Sequence, residues 1–337
     1  MNKYHITALG NALVDIEFVV NEAFLGEHGI EKGVMTLIEK DRHETLYSEL
    51  EHNFLLRKKA SGGCAANTVV TAAQFGASTF YCCKVGNDNF GRFYLEDLAD
   101  AKVDSSKHCG ESQGETGKCL VMISDDADRT MNTYLGITAT FDEKQVDSQA
   151  IAHSEYLYIE GHLMYSEAAV NAILKAKKVA REHNTKVALT VSDPAVVKYV
   201  KDNLLKVIGD DGVDLLFCNS EEASDFGGGD LQAGVEVLKQ VTPHLVVTKG
   251  KDGAEIYIGD ENGIDVAPFA VKAVDTTGAG DTFAGAYLYG ITAGLSPELS
   301  GELANRTAAE CVANYGPRID TKTQLKIRKE IVESSLV

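Results

Sequence analysis

Along this chain, apolar runs of strand length alternate with segments whose apolar residues recur at helical spacing. Residues 6–9, 79–85, 156–159, 187–191, 215–218 and 245–248 read as short strands, several of them apolar on both faces. Residues 168–183 and 234–240 carry the period of amphipathic helices. Strands buried on both faces and alternating with helices predict a mostly parallel sheet covered by helices on either side. Ligands of such sheets sit beyond the carboxyl ends of the strands, so the loops there are where chemistry is sought. One region breaks the pattern. Residues 117–124 and 130–135 flank the turn Asp125-Asp126-Ala127-Asp128 and read as an antiparallel hairpin. With residues 16–20 and 34–38 they predict a small second sheet, placed as a lid over the ligand face. No repeat, low-complexity tract or Pro/Ser-rich linker divides the chain. The expected organisation is one domain over residues 1–337, its lid formed by insertions at about 11–40 and 105–140, with an amphipathic surface helix at 322–337.

Composition narrows the function classes. The 337 residues carry 32 Lys and Arg against 50 Asp and Glu, a net charge of −18, which argues against nucleic acid or an anionic membrane as partner. An anionic small molecule remains open, because local backbone N–H groups can outweigh distant carboxylates. No apolar run approaches the length of a membrane span, and the first twenty residues lack a signal-peptide pattern. The 7 cysteines are dispersed and form no C-x-x-C pair, which fits reduced thiols and a cytoplasmic protein without structural zinc. Cys82 and Cys83 lie in an apolar strand and read as packing residues.

The densest motif is residues 275–286, DTTGAGDTFAGA. Residues 267–274 before it read as a strand. Phe283, Ala284, Tyr287, Leu288 and Ile291 recur at helical spacing, and Gly294 ends that helix. Small residues at the helix start let the backbone N–H groups of Gly278, Ala279 and Gly280 approach an anion and add to the positive end of the helix dipole. Asp281 places a negative charge in that first turn, which weakens a pure anion site. It fits a carboxylate that takes a proton from an attacking hydroxyl while the N–H groups stabilise a transferring phosphoryl group. The competing reading is a glycine turn followed by an ordinary acidic first-turn residue.

At this point the chain resembles the ribokinase/PfkB family of sugar and nucleoside kinases. Residues 275–286 are similar to its C-terminal signature, and residues 61–68, SGGCAANT, to its N-terminal Gly-Gly-x-x-x-Asn element, followed by an apolar helix, Gly76 and Gly86-Asn87-Asp88. Residues 10–15, GNALVD, resemble its substrate loop, residues 219–222, NSEE, its N-x-x-E element, and residues 248–253, TKGKDG, the loop near the nucleotide. The resemblance runs from residue 10 to about 318. It implies a ribokinase-like three-layer α/β/α core with a mostly parallel sheet and a small β-sheet lid. It further implies ATP with Mg²⁺, Asp281 as catalytic base and the 278–280 backbone as anion hole.

The other candidates follow from chemistry and resemblance together. Asp15 could accept two hydrogen bonds from a diol such as the ribose 2′- and 3′-hydroxyls; a turn cap is the alternative. Asn11 belongs to the same loop. Gly62 and Gly63 would let substrate oxygens reach the main chain, and Asn67 offers both a donor and an acceptor. Glu222 would hold Mg²⁺ through water, since its charge repels phosphate. With Asn219 it reads equally as a helix cap with an acidic first turn, and both readings can hold. The resemblance places Thr248, Gly250 and Gly253 at the nucleotide, Asn305 facing its base, and Asp275 with 316–318 at a monovalent-cation (K⁺) site. Arg129, on the lid hairpin, would reach the phosphoryl group as an arginine finger in cis, or pair with Asp126 or Asp128.

Two other nucleotide motifs are excluded. No G-x-x-x-x-G-K-[ST] occurs, and the first strand does not enter G-x-G-x-x-G. Gly227–229 follow no strand and read as a turn, and no histidines stand at metal spacing.

The expectation is an ATP-dependent kinase of small-molecule substrates, acting on the primary hydroxyl of a nucleoside. The 10–16 loop, and Cys64 where ribokinases carry Lys, resemble the adenosine kinase-like branch. The alternative is a sugar kinase acting on ribose, a ketohexose or a sugar acid. A non-catalytic nucleotide or sugar sensor is the third reading. A monomer or a homodimer through the exposed lid edge are both open.

Overall fold

The computed structural model describes residues 3–124, 128–259 and 261–334. Its strands are β1 (Tyr4–Leu9), β2 (Leu13–Val19), β3 (Met35–Leu37), β4 (Leu56–Gly62), β5 (Thr79–Cys82), β6 (Val103–Ser105) and β7 (Gly117–Ile123). They continue as β8 (Arg129–Tyr134), β9 (Ser154–Glu160), β10 (Lys186–Thr190), β11 (Leu215–Asn219), β12 (His244–Thr248), β13 (Ala254–Ile258) and β14 (Ile264–Val266). The large sheet has the order β14-β13-β12-β11-β10-β9-β1-β5-β6 and the small one β3-β8-β7-β2-β4. From β6 to β12 the large sheet is parallel; β13 and β14 close it as antiparallel edge strands.

Side-chain alternation explains why the central strands read so clearly. Ala8, Tyr158, Ala188, Phe217 and Val246 point into one core, together with the helices Cys64–Phe75, Ala279–Thr292 and Pro297–Val312. Leu9, Ile159, Leu189, Leu216 and Val247 point into a second core, beneath the helices Glu167–Glu182 and Leu231–Lys239. Both faces are dry, so both sets of alternate positions are apolar. Each buried Leu or Ile contributes roughly 1.5–3 kcal/mol of transfer free energy. Cys82 and Cys83 are both fully buried, as their setting suggested.

The chain leaves β1 for β5 and β6 on one side and later places β9 on the other. Leu9 is in register with Cys82 and with Ile159, so the carboxyl ends of β1 and β9 lie side by side. Helices on opposite faces diverge at such a reversal and open a crevice there. The small sheet borders it through β2, which leaves β1 after three residues and pairs in parallel with β7 and antiparallel with β4. The expected hairpin is present as β7 and β8. Asp125, Asp126 and Ala127 of its turn lie outside the described residues.

The small sheet holds one strand that the sequence pattern does not announce, and one expected strand is absent. β4 belongs to the small sheet although Leu-Arg-Lys-Lys shows no apolar alternation, because it is an edge strand whose first three residues face solvent. Residues 267–274 are not a strand. β14 ends at Val266, Pro268 offers no N–H, and the exposed segment is tied down by Asn305 Nδ2 donating to the Ala267 carbonyl at 2.7 Å and Val274 N–H donating to the Val312 carbonyl at 2.8 Å. The final helix runs Thr321–Ser334. Among the described residues no helix is long and apolar enough to cross a membrane.

Candidate active site

Asp281 stands in the first turn of the helix Ala279–Thr292, whose N-cap is Gly278 in a left-handed conformation (φ 73°). A Cβ on Gly278 would lie 2.5 Å from Pro317 Cβ, so both conformation and space require glycine. Asp275 braces the turn: one carboxylate oxygen accepts from Thr277 N–H at 3.0 Å and the other from Gly316 N–H at 2.7 Å. Gly280 is exposed and faces open space, which leaves the start of the helix accessible to a ligand, although Ala279 N–H already donates to the Thr276 carbonyl at 3.3 Å.

The Asp281 carboxylate accepts from Asn67 Nδ2 at 3.0 Å. Asn67 Oδ1 in turn accepts from Arg318 Nε at 2.9 Å, which fixes the orientation of the amide and aims its NH₂ at Asp281. Arg318 is anchored by Asp97 at 3.2 Å and by the Ser61 carbonyl. A cation is thus kept one residue away from Asp281. Burial pushes the Asp281 carboxyl up to about 6, against the lowering influence of Asn67, Cys64 and Arg318.

Asn11 in the β1–β2 loop, Asp15 within β2, and Gly62 and Gly63 at the end of β4 converge, so Asp15 is a strand residue and not part of the expected loop. The Asp15 carboxylate lies directly against Gly62, where a Cβ would sit 2.3 Å from Oδ2. Gly63 has φ +106°, and a Cβ there would come within 2.1 Å of the Asn11 carbonyl. Burial raises Asp15 to about 7, opposed chiefly by the nearby Arg318. Asn11 donates to Glu160 Oε1 at 3.1 Å and accepts from Thr138 at 3.3 Å.

Glu160 went unnoticed in the sequence. It ends β9, is 1% exposed, and accepts from Ala65 N–H at 2.9 Å, so it caps the helix carrying Asn67. Burial raises it to about 7. The available signal was an acidic residue closing an apolar strand just before a glycine.

Of the partners expected for Arg129, Asp126 lies outside the described residues, and the guanidinium meets two other carboxylates. It is buried and sits 2.9 Å from Asp275 and 3.2 Å from Glu17, both buried carboxylates. The Nε–H faces Asp275 as an ion pair without the alignment of a hydrogen bond. The backbone N–H of Arg129, not its guanidinium, donates to Asp128 at 2.9 Å.

The nucleotide-side candidates gather at the ends of β11 and β12, where Asn219 and Thr248 are register partners. Asn219 and Glu222 form a reciprocal capping box: Oδ1 accepts from Glu222 N–H at 2.8 Å and Oε2 from Asn219 N–H at 2.9 Å. Glu222 is buried, which raises it to about 7. Gly250 and Gly253 both have positive φ, and Gly253 packs its α-carbon onto the Val266 carbonyl. The Asn305 amide is engaged with Ala267, as above, on the exposed segment that leads to the Asp275 turn.

Comparison with known proteins identifies the family. The family described as pfkB family carbohydrate kinase matches residues 35–324. The crystal structure of adenosine kinase from Sinorhizobium meliloti superposes with a TM-score of 0.88 at 31% identity, covering 97% of this chain and 99% of that one. A probable sugar kinase from Rhizobium etli CFN 42 gives 0.88 at 29% identity, covering 100% of both chains. The ribokinase of Staphylococcus aureus (strain COL) is 27% identical over 69% of this chain and 75% of its own.

Proposed function

Because the chain belongs to the pfkB family of carbohydrate kinases, a family of phosphotransferases acting on hydroxyl groups of nucleosides or sugars, we propose that it transfers the γ-phosphoryl group of ATP to the primary hydroxyl of adenosine or a close nucleoside. The observation that carries this reading is Asp281 at an open helix N-terminus, oriented by Asn67 and kept from direct contact with a cation. Asp15, Asn11, Gly62, Gly63 and Asn67 would hold the acceptor beside it. Asp281 takes the hydroxyl proton as the oxygen attacks in line, and the Gly278, Ala279 and Gly280 N–H groups stabilise charge on the phosphoryl oxygens. The nucleoside acceptor rests on the Sinorhizobium meliloti neighbour and on the 10–16 loop with Cys64; the ribokinase relative supports a sugar as the second reading.

Glu222 suits magnesium only at one remove. Its oxygens each accept one bond within the capping box, leaving lone pairs for a metal-bound water. Magnesium bound with ATP would neutralise phosphate charge. Asp275 does not suit K⁺, because the Arg129 guanidinium 2.9 Å away already supplies the positive charge there.

An acceptor panel decides between the two substrates. ADP release with adenosine, inosine, ribose, fructose and 2-keto-3-deoxygluconate is expected with adenosine and not with the free sugars; turnover with sugars alone overturns the acceptor. The pH dependence follows from the raised carboxyls, because both must be ionised to work. As pH falls, kcat/KM for the acceptor declines first through about 7 as Asp15 gains a proton. It declines again through about 6 with Asp281, its slope approaching two. A profile flat from pH 8 to 5 contradicts the assignment.

A further inference from the structure

Three side chains of different chemistry face one another at the carboxyl end of β9, and none of their ligand atoms takes a direct part in the phosphoryl-transfer mechanism. Cys64 opens the helix Cys64–Phe75, Glu160 ends β9, and His162 lies in the 3₁₀ turn Gly161–Tyr165 that follows. Cys64 Sγ is 3.7 Å from His162 Nδ1, and His162 Nδ1 is 3.7 Å from Glu160 Oε1. All three ligand atoms lie within 4.8 Å of one another. Among the described residues no other trio of His, Cys, Asp or Glu brings its ligand atoms so close.

We propose that Cys64, Glu160 and His162 form a binding site for a zinc-class divalent ion, and that the ion, once bound, blocks the acceptor cleft. A tetrahedral ion with bonds of about 2.0–2.3 Å sets neighbouring ligand atoms roughly 3.3–3.7 Å apart, which is close to the spacing seen here. One thiolate, one imidazole and one carboxylate suit zinc or cobalt and not magnesium, which prefers an all-oxygen shell. The charges also close, since a thiolate and a carboxylate neutralise a divalent ion. The thiol proton is released on binding, and the metal–sulfur bond takes the place of the S–H bond.

The site is built to hold its ligands. Glu160 Oε2 accepts from Ala65 N–H at 2.9 Å, and Oε1 accepts from Asn11 Nδ2 at 3.1 Å, which fixes the carboxylate with Oε1 3.7 Å from His162 Nδ1 and a lone pair left for an ion. The 3₁₀ turn is held close by Gly161, where a Cβ would meet the Val191 carbonyl at 2.1 Å, and by Gly161 N–H donating to Ser192 at 2.9 Å. Cys64 adjoins Gly63 in sequence and lies within the electrostatic reach of Asp281, so an ion here takes up room next to the base.

Binding of the ion does not depend on the kinase reading; only the blockade does. The test is titration of the full-length protein with Zn²⁺ alone against a chromophoric chelator, and with Co²⁺ alone, followed by its thiolate charge-transfer absorption. The expected result is one tight equivalent, with affinity reduced about 100-fold or more in Cys64→Ser and in His162→Gln, since losing a ligand costs at least as much as losing an outer-shell partner. Turnover with Mg·ATP is then expected to fall with added Zn²⁺ in the native protein and to recover as acceptor concentration rises. Absence of a stoichiometric equivalent, or zinc affinity unchanged in both folded variants, overturns the site. A native protein that binds one equivalent at Cys64 but is inactive with every acceptor keeps the site and removes the kinase reading.

Discussion

Asp281→Asn is expected to lower kcat by about 10²–10⁴, the range for loss of a positioned general base, with acceptor KM changed little. Asn is nearly isosteric and can still meet Asn67 Nδ2 through its own amide oxygen, so the local packing persists. What is lost is a proton acceptor whose raised pKa brings it near the range in which it must work. The variant is also expected to lose the lower limb of the pH profile while keeping the one assigned to Asp15. Steady-state kinetics from pH 5 to 8 check both. Near-native turnover in Asp281→Asn removes the carboxylate from the mechanism.

The second large effect is on stability. Arg129→Met should lower the folding free energy by about 3–5 kcal/mol, because removing one partner of a buried ion pair leaves uncompensated charge. Here two carboxylates are left, Glu17 and Asp275, which are 4% and 6% exposed. Met retains much of the apolar stem, so the loss reports on charge and not on a cavity. Thermal and urea unfolding of the variant measure it. An arginine finger would behave otherwise: stability unchanged and kcat lowered alone. The structure supports the first outcome, since Arg129 joins β8 of the small sheet to the turn that carries Gly278 and Asp281.

This contact illustrates what a sequence can show. The parallel strands were legible because burial on both faces makes every position apolar, as in Leu215-Leu216-Phe217-Cys218. The glycine turns were legible because a left-handed φ or a close approach admits few alternatives, as at Gly278 and Gly63. β4 was missed because an edge strand need bury little, and 267–274 was misread because its alternation is not matched by a partner strand. Candidate residues were recognised where a motif is continuous in the chain. The partners that hold them come from distant segments: Glu17 and Asp275 for Arg129, Arg318 for Asn67, Glu160 for Asn11. Glu160 and His162 belong to no continuous motif. The packing of the helix Cys64–Phe75 against β9 brings them to Cys64.

The central claim is that Asp281 deprotonates an acceptor hydroxyl for attack on ATP. Its most direct test is a single-turnover incubation of enzyme, Mg·ATP and adenosine, with the product followed by phosphorus NMR. The account predicts a new phosphomonoester on the primary carbon, formed about 10²–10⁴ times more slowly by Asp281→Asn. ATP hydrolysis without acceptor phosphorylation, or equal rates in the two proteins, would contradict it.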